Sequence, residues 1–282
     1  MRSDAQRKMP WATLGAILVL VLVASLNLFP FLWGAITALK PARELMVYPP
    51  KLFGSYIEWA HVVTVLRGSI TQAALNSFLY CLMSIAVGLL MSNIFAYGMT
   101  RYCFKGRQFM FYLILAGIPL SVGSAAMVVP NYMMFSSLGM IDQWYTLPIV
   151  YIAYNLPMAA WIMTGGMRSI PYAIEEAAQI DGASRPYIIF ALLPQLSLPA
   201  LASAALMIFI GAWNEFNISS MLVNSNARYP IQVSIYNYIG YFGREWGPLT
   251  AAATLAVIPI LIVFTLLGRL LISGLTAGAV KE

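Results

Sequence analysis

The chain has 282 residues, of which 61% are hydrophobic and only 9% charged, with a formal net charge of +6. Soluble domains carry about 25% charged residues, so a water-facing globule is excluded and the bilayer is the fitting solvent. Two cysteines, Cys81 and Cys103, are too few for a disulfide framework, and nothing in the pattern points to nucleic acid.

In chain order, Arg2, Arg7 and Lys8 precede an apolar run from Trp11 to about Leu39. That run is much longer than the ~7–15-residue core of a signal peptide, so it reads as a retained membrane helix. A spanning helix takes about 20 mostly apolar residues. Six stretches meet that demand: 11–37, 71–99, 109–130, 146–165, 197–221 and 248–272. The expected fold is therefore all-α, a single transmembrane domain over 1–282 with six helices. Pro119, Pro130, Pro148, Pro157 and Pro259 fall within or at the ends of these stretches and predict bends.

Lys and Arg near helix ends set the orientation. Arg2, Arg7, Lys8, Arg101, Lys105, Arg107, Arg168, Arg185, Arg269 and Lys281 fall on one side. Lys40, Arg43, Lys51, Arg67, Arg228 and Arg244 fall on the other. Both termini and the 166–196 loop are thus expected in the cytoplasm. The outer loops 38–70, 131–145 and 222–247 are rich in aromatics such as Tyr48, Trp59, Trp144 and Tyr241. An interfacial belt and a sugar- or partner-docking surface both fit them. His61, the one histidine, falls in the first of these loops as a surface residue.

The 166–196 loop reads as helix, glycine, helix. Ser169 is placed to cap the first helix, with Pro171 in its first turn, where a missing N–H costs nothing. Ala173, Glu175, Glu176, Ala177 and Ala178 favour helix. Gly182 supplies a left-handed stop, and Ser184 with Pro186 opens the second helix. Small alanines beside two carboxylates read on physics alone as a solvated linker, with a groove on a partner as the sharper alternative.

The run Glu176-Ala177-Ala178, three residues, Gly182, then an apolar stretch to Leu193-Pro194 resembles the EAA motif. That motif marks the permease subunits of binding-protein-dependent ABC importers. Ile180-Asp181-Gly182-Ala183-Ser184 is similar to the carbohydrate branch, as is Gly211-Ala212-Trp213-Asn214-Glu215-Phe216. The end, Gly274 to Lys281, resembles the maltose-type second permease. In one respect the chain departs from the family: Leu193-Pro194 stands one residue nearer the glycine, and Gln195 holds the usual proline position.

The resemblance implies the type I importer permease fold in a bacterial cytoplasmic membrane. Its expected partners are a homologous second permease, two ATP-binding cassette subunits and an extracytoplasmic solute-binding protein. Glu175, Glu176, Ala177, Ala178, Asp181 and Gly182 would meet the ATPase, and Gly278 and Lys281 would lie near it. ATP and Mg would belong to that subunit, and this chain would bind no cofactor. The implied solute is a carbohydrate, an oligosaccharide either neutral or uronate.

The residues themselves exclude an ATPase site in this chain. A phosphate-cradling loop ends in Gly-Lys, and no lysine here follows a glycine. No nucleophile–base pair stands out either. Glu215 is the one acid inside an apolar stretch; it reads either as a helix tie or, with Asn214 and Asn217, as the lining of a solute path. Asn76, Asn93 and Asn155 read as helix–helix ties. An ion-gradient-driven transporter remains the rival reading, tested by uptake without ATP.

Overall fold

A computed structural model describes residues 11–121, 125–240 and 243–277. The elements are α1 (Trp11–Ala38), α2 (Ala60–Arg67), α3 (Ile70–Arg101), α4 (Arg107–Leu115), α5 (Ile118–Ser121), α6 (Val128–Ser137) and α7 (Thr146–Arg168). They continue with α8 (Tyr172–Ile180), α9 (Arg185–Tyr187), α10 (Leu193–Leu196), α11 (Leu198–Trp213), α12 (Ser219–Leu222), α13 (Ile231–Tyr236) and α14 (Trp246–Ala277). A two-residue antiparallel pair, Ile239–Gly240 with Gly243–Arg244, is the β-structure among the described residues.

The first, second, fourth and sixth apolar runs are helical throughout, whereas the third and fifth are broken. Four described helices are long and apolar enough to cross a membrane: Thr13–Ala38, Ile70–Arg101, Thr146–Arg168 and Trp246–Leu270. A broken pair, Arg185–Leu196 and Leu198–Trp213, bent by 86°, meets the same test of length and composition when taken together. The expected third helix over 109–130 is instead cut into α4, α5, a 3₁₀ turn at Ala125–Met127 and the start of α6. The break sits at Gly117-Ile118-Pro119, where proline has no N–H to continue the ladder. A Cβ on Gly117 would lie 3.1 Å from the Pro157 ring of α7, so the break packs against a second proline. Six spans with proline bends were expected; the described residues hold four unbroken candidates, a bent pair, and a third segment broken at Gly117-Ile118-Pro119.

Two compact units divide the chain: 1–65 with 238–255, and 66–237 with 256–282. In the first, Lys40 is buried; its ammonium donates to the Lys51 carbonyl at 2.7 Å and lies 4.6 Å from the Trp33 ring centroid. His61 is not a plain surface residue. It is the second residue of α2, and a Cβ on Gly247 would come within 2.5 Å of its ring, so only a glycine lets the imidazole lie so close.

The second unit is a bundle of α3, α7 and α11. Its core joins Ala96, Ala159, Met163, Met167, Ala204 and Ile208 to Ile188 and Leu193 of the loop region. Small residues set the spacing, as in membrane bundles where close packing replaces hydrophobic drive. A Cβ on Gly166 would sit 2.2 Å from the Ala200 Cβ. Asn76 binds the outer loop, donating to the carbonyls of Ala227 at 2.9 Å and Tyr229 at 3.1 Å. Asn93 donates to the Ile189 carbonyl at 2.8 Å. Asn155 bonds within its own helix, to Tyr151 at 2.8 Å.

Asp142 joins two outer segments. Oδ1 accepts from the Asn224 and Ser225 amides, each at 3.2 Å, and from the Ser225 hydroxyl at 2.9 Å, while Oδ2 faces Arg228 at 3.5 Å. Burial pushes this carboxyl up, but the Ser225 and Asn224 donors and then Arg228 outweigh it and hold it below its ordinary 3.8.

Two expectations follow. Gly166→Val overpacks the α7–α11 contact and costs about 1–3 kcal/mol, read as a lower unfolding temperature in detergent. A depressed folded-state pKa contributes stability above the unfolded value that is lost as pH falls through the folded one. Stability of the parent relative to Asp142→Asn therefore falls as pH drops below 3.8 and stays flat above it, in denaturant titrations across pH.

Candidate functional site

The loop after α7 is a built element. Ser169 does not cap α8; its hydroxyl donates to the Gly166 carbonyl at 2.7 Å, and Pro171 takes the N-cap place. Helix α8 ends in a Schellman motif: Gly182 N–H donates to the Gln179 carbonyl at 3.1 Å and Ala183 N–H to the Ala178 carbonyl at 2.9 Å. Gly182 has φ +86, which glycine adopts without strain. Ser184 caps α9, accepting from the Tyr187 amide at 3.4 Å.

The chain then widens. Ile188–Leu192 is a π turn leading into Leu193-Pro194, the pair that stands out of the family's register. Asn93 of α3 binds the Ile189 carbonyl within this turn, so a polar side chain holds backbone that regular helix does not. At Ser197 the direction changes by 86° into α11.

The two carboxylates of α8 part company. Glu175 is 0% exposed and pairs with Arg101, the last residue of α3, whose side chain is 9% exposed. The same guanidinium donates to the Ile170 carbonyl at 3.0 Å and lies 5.8 Å from the Tyr172 ring centroid. A buried charge is tolerated only when paired, so Arg101 ties both ends of the first turn of α8 to α3. Glu175, expected on the surface with Glu176, faces inward. Glu176, Ala177, Asp181 and Gly182 are exposed, and Ala178 is half-buried against the bundle core. The residue that pattern reading passed over is Ile180, 86% exposed at the tip of α8. A branched apolar residue between Gln179 and Asp181, just before a glycine stop, was the available signal. Gly278 and Lys281 lie outside the described residues.

A second place concerns the expected solute path. A cavity of about 350 Å³ lies between α7 and α11 and the chain after α11, lined by Tyr154, Asn155, Met207, Gly211, Asn214, Glu215 and Asn217 among others. Glu215 is a cap as well as a lining residue. Its carboxylate accepts from the Ile218 amide at 2.8 Å, the Ser219 amide at 2.9 Å and the Ser219 hydroxyl at 2.5 Å. Asn214 donates to the Ile210 carbonyl at 2.9 Å. The Tyr154 hydroxyl receives the Asn131 amide at 2.7 Å. A Cβ on Gly211 would lie 2.0 Å from Asn155 Oδ1, so glycine admits the amide to the wall. Glu215 thus caps the chain after α11 and also lines this cavity.

The profile of the binding-protein-dependent transport system inner membrane component family matches residues 52–276. A trehalose transport system permease protein, SugB of Mycobacterium tuberculosis, is 30% identical and covers 98% of this chain and 99% of its own length. The trehalose/maltose transport system permease protein MalG of Thermococcus litoralis is 30% identical, with 93% and 94% covered. A solved bacterial ABC transporter involved in the import of the acidic polysaccharide alginate shares the fold, with a TM-score of 0.76 over 95% of this chain and 98% of that one, at 20% identity.

Removing one partner from a buried ion pair costs about 3–5 kcal/mol. Glu175→Gln and Arg101→Gln each lower the unfolding temperature and speed tryptic cleavage at Arg185; the double variant Glu175→Leu with Arg101→Leu recovers much of the loss.

Proposed function

The chain belongs to the binding-protein-dependent transport system inner membrane component family, and on that premise we propose that it is one permease half of an ATP-driven carbohydrate importer. The observation that carries the reading is α8: a short helix stapled to the bundle by Arg101–Glu175, with Ile180 and Glu176 left exposed at its outer side. An exposed apolar tip with flanking carboxylates fits a groove lined by apolar walls and basic rims.

Two ATP-binding cassette subunits supply that groove, and they hold the ATP and Mg. A homologous second permease completes the pathway, and an extracytoplasmic solute-binding protein delivers the solute. The 166–196 loop and both termini face the cytoplasm, where ten of the sixteen basic residues collect. The third apolar segment crosses as a broken helix, which makes six crossings in one membrane domain.

When the cassettes close on ATP, their grooves carry α8. The Arg101–Glu175 pair passes that motion to α3, and the continuous run from Ile188 to Leu193 passes it to α11 through the core. A tether would swivel; the Schellman stop and the buried pair make this link stiff. The cavity at Tyr154, Asn155 and Asn214 offers amides, a phenol and apolar walls, which suits hydroxyls and the flat faces of sugar rings. Relatives named for trehalose and maltose support a carbohydrate, and the alginate transporter extends the class to uronates. The path also touches Glu215, whose oxygens already accept three hydrogen bonds. A carboxylate so engaged serves as a cap on backbone donors, and the cavity wall supplies no basic partner for an ion relay.

The test is ATPase activity and solute uptake of the assembled transporter in proteoliposomes. Ile180→Glu and Glu176→Lys leave the chain folded, because both positions are exposed, and lower coupled uptake by about tenfold or more. Gly182→Pro forces φ to about −65° against the observed +86 and abolishes coupling. Unchanged uptake and ATPase stimulation in Ile180→Glu and Glu176→Lys would falsify docking through α8.

A further inference from the structure

We propose that a cavity at the shared ends of α3, α4 and α7 binds the headgroup of an anionic phospholipid through Arg107 and Arg168. The cavity measures about 490 Å³, and its wall includes Met99, Arg107, Gln108, Phe111, Tyr112 and Arg168. Its two charged lining residues are both arginines, and no carboxylate contributes to the wall. None of its residues belongs to α8 or to the cavity beside Glu215.

Each guanidinium is oriented without being neutralised. Arg168 lies 5.3 Å from the Phe111 ring centroid. Arg107 donates to the Tyr102 carbonyl at 3.4 Å and approaches Cys103 Sγ at 3.9 Å. The ion pairs among the described residues are Arg101–Glu175 and Arg228–Asp142, and neither involves these two arginines. Two guanidiniums around an open cavity favour an anion, and their planar donor forks match phosphate oxygens.

A free phosphate and a lipid phosphate share that chemistry; the surroundings favour the lipid. Phe109, 72% exposed, and Leu113, 61% exposed, stand on α4 with Tyr112 beside the arginines. Helices α3 and α7, which end here, are long and apolar enough to span. The cavity therefore sits where hydrocarbon gives way to water. A lipid sets its phosphate between the arginines and lays its chains over Phe109 and Leu113, whereas a soluble anion leaves that surface bare. Basic pockets between helices on the cytoplasmic side suit anionic headgroups. The inference uses the orientation proposed above and is independent of which solute is carried.

The experiment places the full chain, with the subunits that accompany it, in nanodiscs of phosphatidylcholine holding a minor share of phosphatidylglycerol. Lipids retained after release into the gas phase are counted by native mass spectrometry. Phosphatidylglycerol is expected to be retained over phosphatidylcholine. Arg107→Gln with Arg168→Gln lowers that preference about tenfold, the paired Lys variants keep most of it, and Arg67→Gln, outside the cavity, leaves it unchanged. Equal retention of the two lipids by the parent overturns the proposal. So does an unchanged preference in the Gln pair, with the Lys pair controlling for folding. Excess inorganic phosphate leaves the lipid bound; if it displaces phosphatidylglycerol, the cavity belongs to a soluble anion and the lipid assignment fails.

Discussion

The pairing of Arg101 with Glu175 is the constraint on which the 166–196 loop depends. A carboxylate that is 0% exposed needs a partner inside the protein, and that partner is the terminal residue of the longest bundle helix of the second unit. The pair therefore fixes both the position and the rotation of α8. With Glu175 turned in, helical geometry turns Glu176 and Ile180 out, since residues that do not share the 3–4-residue spacing fall on different faces. The outward face thus follows from the inward bond.

The bundle beneath it is held by close approach. Gly166 against Ala200, Gly88 against Ile208 and Gly211 against Asn155 each leave no room for a Cβ. Tight contact at these points keeps α3, α7 and α11 in register. The same economy of space explains why Asn155 and Gly211 occur together: the amide occupies the volume that any side chain would claim. Polar groups inside this unit are mostly engaged with backbone. Asn93 holds the π turn, and Glu215 caps α12, so chain breaks in an apolar setting are satisfied locally.

Much of this was legible in the residues. The apolar runs mark α1, α3, α7, α11 and α14 because run length and composition are local properties. The stop at Gly182 and the cap at Ser184 were legible because both rest on bonds within a few residues. The break in the third segment was not, although Gly117 and Pro119 stood in plain view. Membrane helices often carry proline without breaking, and here the decision lies with Pro157 packed against Gly117. Ser169 misled for a related reason: its hydroxyl turns back to the Gly166 carbonyl at the end of α7 rather than forward to α8.

Residue order alone marks this as a multi-pass membrane chain with a helix–glycine–helix loop between two apolar runs. Those features rest on composition, spacing and short-range hydrogen bonds. Packing in three dimensions settles which of two adjacent glutamates is an anchor, that Ile180 forms the exposed tip, and that Arg107 and Arg168 share one cavity. Each of these depends on residues far apart in the chain, such as Arg101 and Glu175, meeting at one point. Burial at that point follows from packing and cannot be assigned to any single residue in advance.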